Sequence, residues 1–138
     1  MCRLYGFSAT APTRLDCSLV SAQNALQVQS DRDGRGRRNA DGWGLARWKA
    51  STPQVVRSTL PAFADREFVH EAEATRSRVA LAHVRAATVG DVLLENVHPF
   101  HHGPWAFAHN GTLTAHRQLA PLLTEGAHHE PRARQTRS

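Results

Sequence analysis

Short apolar stretches alternate with polar ones along this chain, and the period of the alternation changes from segment to segment. Arg3 to Ala9 is short and partly apolar and runs into Ala11-Pro12-Thr13, which predicts an opening strand. From Leu15 to Val28, residues Leu15, Leu19, Ala22, Ala25 and Leu26 recur near helical spacing, with Asp16 or Ser18 available as a cap, and predict a helix. Ser30 to Asn39 is a polar, glycine-rich loop. Trp43 to Trp48 and Gln54 to Ser58 read as two strands of an antiparallel hairpin joined through Lys49-Ala50-Ser51-Thr52-Pro53. Phe63 to Ser77, with Phe68, Val69 and Ala72 among many charges, is helical in character. Arg78 to Val84 carries Val79 and Leu81 between small alanines in the style of a buried strand. Trp105 to His109 is a further short strand ending at Asn110-Gly111, and Leu113 to Leu123 places Leu119, Leu122 and Leu123 on one side of a helix.

This order, without regular βαβ alternation, predicts an α+β fold in one domain over residues 2–125. Gly126 to Ser138 loses all apolar periodicity and reads as a disordered or aberrant basic tail. With 138 residues, 41% hydrophobic and 21% charged, the composition is ordinary for a globular domain. Two cysteines, Cys2 and Cys17, form neither a disulfide framework nor a CxxC zinc pair. No stretch approaches 18 apolar residues and no signal-peptide pattern opens the chain, so a cytoplasmic protein without a membrane partner is expected. The net charge of +5 comes from separate blocks, Arg32, Arg35, Arg37 and Arg38, then Arg132, Arg134 and Arg137. No basic stripe is interleaved with stacking aromatics, so no nucleic-acid partner is expected.

Chemistry enters at position 2. A cysteine behind the initiator methionine becomes, if Met1 is removed, a residue with both a thiol nucleophile and a free α-amine. An α-amine ionises at about 7.7 to 8, so near neutrality part of its population is an available base. Position alone also fits an arbitrary cysteine near a frayed terminus. Asn110-Gly111 offers a side-chain amide donor and a backbone N–H that no Cβ shields, a pair suited to a developing oxyanion. The same dipeptide is also a common hairpin turn. Arg85 could grip a carboxylate through two parallel hydrogen bonds, or simply end a strand in solvent. His98, His101, His102 and His109 show no His-x3-His or Cys-Cys pair to organise them, so no metal is expected.

Five segments occur in order: Met1-Cys2-Arg3-Leu4-Tyr5-Gly6, Asn39-Ala40-Asp41-Gly42-Trp43-Gly44-Leu45-Ala46, His83-Val84-Arg85-Ala86-Ala87-Thr88, Asn96-Val97-His98-Pro99-Phe100, and Phe107-Ala108-His109-Asn110-Gly111-Thr112-Leu113. From Cys2 to about Leu123 this arrangement resembles the class II glutamine amidotransferases, the cysteine branch of the N-terminal nucleophile hydrolases. The Asp-Gly-Trp-Gly form is similar to the subgroup that includes the γ-glutamyl amidohydrolase of ergothioneine biosynthesis. The resemblance implies an αββα sandwich of antiparallel sheets and cleavage of the γ-amide of glutamine or a γ-glutamyl compound through a thioester on Cys2. It implies Asn110 and Gly111 as the oxyanion hole, Arg85 as the holder of the substrate's α-carboxylate, and Thr88 as a further lining residue. Arg38 falls near the position of an active-site arginine in some members, but Asn39-Ala40 beside it departs from their pattern, so no role is assigned to it; the implied chemistry requires no cofactor. The partners it implies are a small-molecule substrate, with a synthase partner or a homo-oligomer left open.

One departure qualifies this resemblance. The family continues into a Gly-Asp-Thr-Asp-Ser-Glu-like segment, whose aspartate binds the substrate's α-amino group, and no such segment is present here. The expectation is therefore a sandwich incomplete at its C-terminus. The alternative function is a catalytically impaired remnant acting at most as a binding partner.

Overall fold

A computed structural model describes residues 2–88, 90–112, 118 and 121. A four-stranded antiparallel sheet forms its centre, in the order β1-β4-β2-β3, with β1 at Arg3–Arg14, β2 at Trp43–Lys49, β3 at Thr52–Ser58 and β4 at Arg76–Val84. Two helices, α1 (Leu26–Asp31) and α2 (Arg66–Ala74), accompany it. A separate two-stranded ribbon pairs β5 (Phe100–His102) with β6 (Trp105–Phe107). The fold is α+β, as the order of elements predicts.

The register explains which side chains share a face. Tyr5 lies opposite Ala82, Ala82 opposite Leu45, and Leu45 opposite Val56, so one row crosses all four strands. These positions belong to the core with Leu15, Leu19, Leu26, Trp43, Phe68, Ala72 and Val84. Burying a Leu or Phe side chain contributes about 1.5–3 kcal/mol. Small Ala80 and Ala82 leave room for the large partners: Trp43 meets Phe68 edge-on at 5.1 Å. The indole N–H of Trp43 would be costly to bury unpaired. It donates to Asp65 Oδ2 at 2.8 Å, beside a second bond from Ser58 Oγ at 2.8 Å. Asp65 also caps α2 by accepting from the Glu67 amide at 3.0 Å. Burial alone would raise its pKa; the bonds from Ser58, Trp43 and Glu67 outweigh that and hold the carboxyl below its ordinary value.

The helix expected over Phe63–Ser77 is shorter and gives way to β4 at Arg76, β5 was not expected, and two further elements differ more deeply. The helix expected over Leu15–Val28 is broken: a π turn at Cys17–Ser21 ends with the Ala22 amide bonded to the Cys17 carbonyl, and Ala22 and Ala25 are extended before α1 begins at Leu26. Ser21 and Asn24 favour non-helical backbone, and the break brings the consecutive residues Ala25 and Leu26 into the core together. The opening strand runs past Ala9 to Arg14. Its pairing jumps from Ser8↔Val79 to Thr13↔Ser77, so three extra residues bulge out, and Pro12 sits within that bulge, where no ladder donor is needed. The helix expected over Leu113–Leu123 and the tail over Gly126–Ser138 lie outside the described residues, apart from Gln118 and Pro121 within the former.

Candidate active site

The opposite face of the sheet carries the site. There Leu4 pairs with His83, and His83 with Gly44, whose neighbour across β3 is Arg57. A Cβ on Gly44 would lie 2.3 Å from the His98 carbonyl oxygen and 2.9 Å from Pro99 Cδ. Gly42, at φ +116°, leaves similar room for Val97 and the Ser58 carbonyl. The glycines of Asp-Gly-Trp-Gly therefore let the Val97-His98-Pro99 segment lie directly on the sheet, while Trp43 between them points into the core. Arg57 Nη1 fastens that segment by donating to the Val97 carbonyl at 3.1 Å.

Antiparallel pairing of Arg3 with Val84 sets Cys2 beside the chain as it leaves β4. The Ala86 amide donates to Cys2 Sγ at 3.3 Å, and the thiol lies 3.6 Å from the Ala86 carbonyl oxygen. Asp41 and Gly42 shape this exit. Arg85 donates its amide to the Gly42 carbonyl at 2.8 Å, the Asp41 amide donates to the Arg85 carbonyl at 3.1 Å, and Asp41 Oδ2 accepts from the Ala87 amide at 2.7 Å. The Arg85 side chain is buried, and its Nη2 donates to the Gly90 carbonyl at 3.3 Å. Thr88 Oγ1 and Thr112 Oγ1 lie 3.2 Å apart, tying the loop after β4 to the Asn110-Gly111-Thr112 run.

Two adjoining hollows meet at Cys2. The first, about 390 Å³, is lined by Cys2, Arg85, Thr88, Asn96, His98 and Gly111, among others. The second, about 320 Å³, is lined by Cys2, Arg37, Ala86, Thr88, Asn110, Gly111 and Thr112. All five residues singled out in the sequence, Cys2, Arg85, Thr88, Asn110 and Gly111, thus lie on this one region. A Cβ at Gly111 would come within 3.3 Å of the His109 ring, so glycine keeps that approach open.

Histidines form the floor. The buried ring of His83 lies 4.7 Å from His98, edge to face, and His98 lies 4.4 Å from Phe100. Burial, with smaller contributions from the charges of His98, Arg85 and His109, pushes His83 down to about 4, against a weaker opposing pull from the His109 backbone. His98 is lowered as well, by burial and then by His109, Arg85 and Arg57. Both rings stay neutral near pH 7; His98 lines the first hollow and the buried His83 packs against it. Among the described residues no group of three His, Cys, Asp or Glu side chains could hold a metal ion.

The Asn96-Val97-His98-Pro99-Phe100 segment, to which the sequence attaches no role, brings Asn96, His98 and Phe100 to the lining of the first hollow. Arg37 was counted only as loop charge. It is carried by a turn in which Asp33 Oδ1 accepts from the Arg35 and Arg37 amides, both at 2.8 Å, and Asp33 Oδ2 pairs with Arg3 at 3.1 Å. The Arg37 and Arg35 amides hold the Asp33 carboxyl below its ordinary value. Arg38 is engaged elsewhere, 2.8 Å from Asp31 and over the Phe63 ring. No described helix is long and apolar enough to cross a membrane.

Residues 1–130 match the family of class II glutamine amidotransferases. The chain is similar to the γ-glutamyl-hercynylcysteine sulfoxide hydrolase of Mycobacterium tuberculosis, 37% identical over 82% of this chain and 50% of that protein. It is also similar to the putative glutamine amidotransferase YafJ of Escherichia coli, 33% identical over 86% of this chain and 46% of the relative. A third relative is the probable glutamine amidotransferase DUG3 of Saccharomyces cerevisiae, 32% identical over 83% of this chain and 35% of the relative. The chain spans about half the length, or less, of these curated relatives. With its cysteine, arginine and Asn-Gly segments gathered around one cavity, the chain belongs to the class II glutamine amidotransferases.

Proposed function

We propose that this chain carries the nucleophile of an amidohydrolase that cleaves the γ-amide of glutamine or of a γ-glutamyl compound. The observation that carries the reading is the convergence of Cys2, Arg85 and Thr88 with Asn110 and Gly111 on two hollows that share the thiol. Arg85 supplies a buried cation for the substrate's α-carboxylate, and burial makes such a charge-assisted pair stronger than it would be in water.

After removal of Met1, the Cys2 α-amine takes the thiol proton as sulfur attacks the γ-carbonyl carbon. The Asn110 side chain and the Gly111 amide donate to the oxygen that becomes anionic, each such donor being worth about 3 to 4 kcal/mol in comparable sites. The ammonium formed on Cys2 then gives its proton to the departing nitrogen, the C–N bond breaks, and a γ-glutamyl thioester remains. Water, deprotonated by the same amine, hydrolyses the thioester and releases glutamate.

Purified protein is expected to show an intact mass lacking Met1 and to release glutamate from L-glutamine or from a γ-glutamyl amide. Cys2→Ala is expected to abolish that release at unchanged thermal stability. Persistent activity in Cys2→Ala, or an active protein that retains Met1, refutes the mechanism.

A further inference from the structure

The end of the sheet away from Cys2 holds a separate hollow of about 490 Å³, lined among others by Pro12, Trp48, Lys49, Arg76, Ser77 and Arg78. Strand pairing makes it. The β1 ladder jumps from Val79 to Ser77 and leaves Arg78 facing the bulge that holds Pro12, while the β2 ladder stops at Arg47↔Ala80. Beyond that point the buried Ser77 hydroxyl takes over, 3.1 Å from the Trp48 carbonyl. The sheet is thus parted on both sides of Arg78. At about 3.3 Å per residue along β4, Arg78 stands roughly 23 Å from Arg85, and this hollow shares no lining residue with the two at Cys2.

Charge decides what such a hollow takes. Lys49, Arg76 and Arg78 are exposed and their side chains enter no salt bridge or hydrogen bond among the described residues. No acidic side chain lines the hollow. Other cations at this end of the sheet are neutralised, Arg14 by Asp16 at 3.2 Å and Arg47 by Glu71. Arg76 lies directly across from Arg14, and like charges opposed on neighbouring strands are unfavourable. A bound anion relieves that repulsion and meets three positive charges at once, which favours a multiply charged group over a single carboxylate. The volume falls within the range of about 300–1,000 Å³ that holds small organic ligands. Trp48, its indole N–H held by the Pro104 carbonyl at 3.0 Å, forms an apolar wall together with Pro12.

We propose that this hollow binds a diphosphate group, carried by a nucleoside diphosphate or present as inorganic pyrophosphate, independently of the Cys2 chemistry. The test titrates the full chain calorimetrically with ADP and with pyrophosphate at low ionic strength. Saturable binding of one equivalent is expected, weakened about tenfold in Arg78→Gln and in Arg76→Gln by loss of a charge-assisted contact. Lys49→Gln, which leaves β4 untouched, is expected to weaken binding in the same direction and keeps the test valid if a β4 variant fails to fold. Arg32→Gln removes the same charge from an exposed position outside the hollow and is expected to change affinity by less than about twofold, since salt screens distant charges. Tighter binding of ADP names the nucleotide as the source of the diphosphate and equal affinity names pyrophosphate, and either result sustains the site. Absence of binding by both probes at millimolar concentration, or equal weakening in Arg32→Gln and Arg78→Gln, overturns the proposal. Tighter binding of a single-stranded DNA oligonucleotide than of either probe, with the same dependence on Arg78, overturns it in favour of a nucleic-acid surface.

Discussion

Gly44→Ala is a one-carbon change whose cost can be worked from the packing of the two layers. The new Cβ would lie 2.3 Å from the His98 carbonyl oxygen, 2.9 Å from Pro99 Cδ and 3.0 Å from Arg57 Cγ. Ordinary contact begins at 3.4 Å, so the segment must retreat by about an ångström. The nearest obstacle is backbone, and no rotamer change relieves it. Overpacking of this kind costs about 1–3 kcal/mol, and the backbone clash places Gly44→Ala near 3 kcal/mol. For a chain of this size that is a fall of roughly 10 °C in Tm. Gly6→Ala is the matched control: it lies in the same sheet with nothing within 4 Å of the added carbon. There the substitution is expected to be neutral or slightly stabilising, by up to about 0.5 kcal/mol, since glycine weakens a strand interior. Urea denaturation of both variants measures the difference. Because His98 and Phe100 ride on the displaced segment and line the first hollow, Gly44→Ala should also raise KM at temperatures where it is folded. A Gly44→Ala variant within about 0.5 kcal/mol of the parent, or a Gly6→Ala variant equally damaged, refutes the claim that Gly44 exists to admit the His98 segment.

Two further outcomes follow from the site's supports. Asp41→Ala removes the acceptor for the Ala87 amide and is expected to lower kcat/KM about tenfold, with Asp41→Asn milder because it keeps an oxygen there; equal losses in the two variants would argue against the bond at Ala87. His83, about 4 when folded against about 6.5 unfolded, stays neutral while the unfolded chain takes up a proton, so its contribution to stability is complete above pH 6.5 and is lost as pH falls toward 4. The loss amounts to about 3 kcal/mol by pH 4, His98 adding in the same direction, and urea midpoints at pH 7.5 and 5 should differ less in His83→Asn; an unchanged difference would remove His83 as the cause.

The central strands were legible as short apolar runs bounded by polar turns, but the face that meets the core was not: in β4 the sequence singles out Val79 and Leu81, whereas the core takes Ala80, Ala82 and Val84, and Val79 is exposed. The helix over Leu15–Val28 was misread because the apolar residues at 15, 19, 22 and 26 match one helical face, and nothing in that spacing reveals the extended backbone at Ala22 and Ala25. Pro12 was read as the end of β1, yet at a sheet edge a proline can sit in a bulge and the strand can resume. The type of each site residue was readable, and its company was not. Cys2 and Arg85 are 83 positions apart in the sequence, and only the register of β1 on β4 joins them. Arg37 carried no local signal beyond its charge, because its place on the lining of the second hollow comes from the Asp33 turn that fixes its backbone.

That dependence on register makes the position of the Cys2 sulfur a product of strand pairing rather than of any local loop. Alternation along β1 puts Tyr5 and Phe7 against the core and Leu4 on the other face beside His83, and Cys2 shares the parity of Leu4. A slip of one residue would send the thiol to the helical layer and Tyr5 to the site. Burial resists this: Tyr5 and Phe7 would lose their packing on the core, while the Arg3 pair with Asp33 on the core side would also break. The Arg3–Asp33 pair adds to the burial of Tyr5 and Phe7 in holding the register that brings Cys2 to the Ala86 amide. Loss of Asp33 is therefore expected to loosen the end of β1, and with it the placement of Cys2, without removing the core packing that sets the pairing.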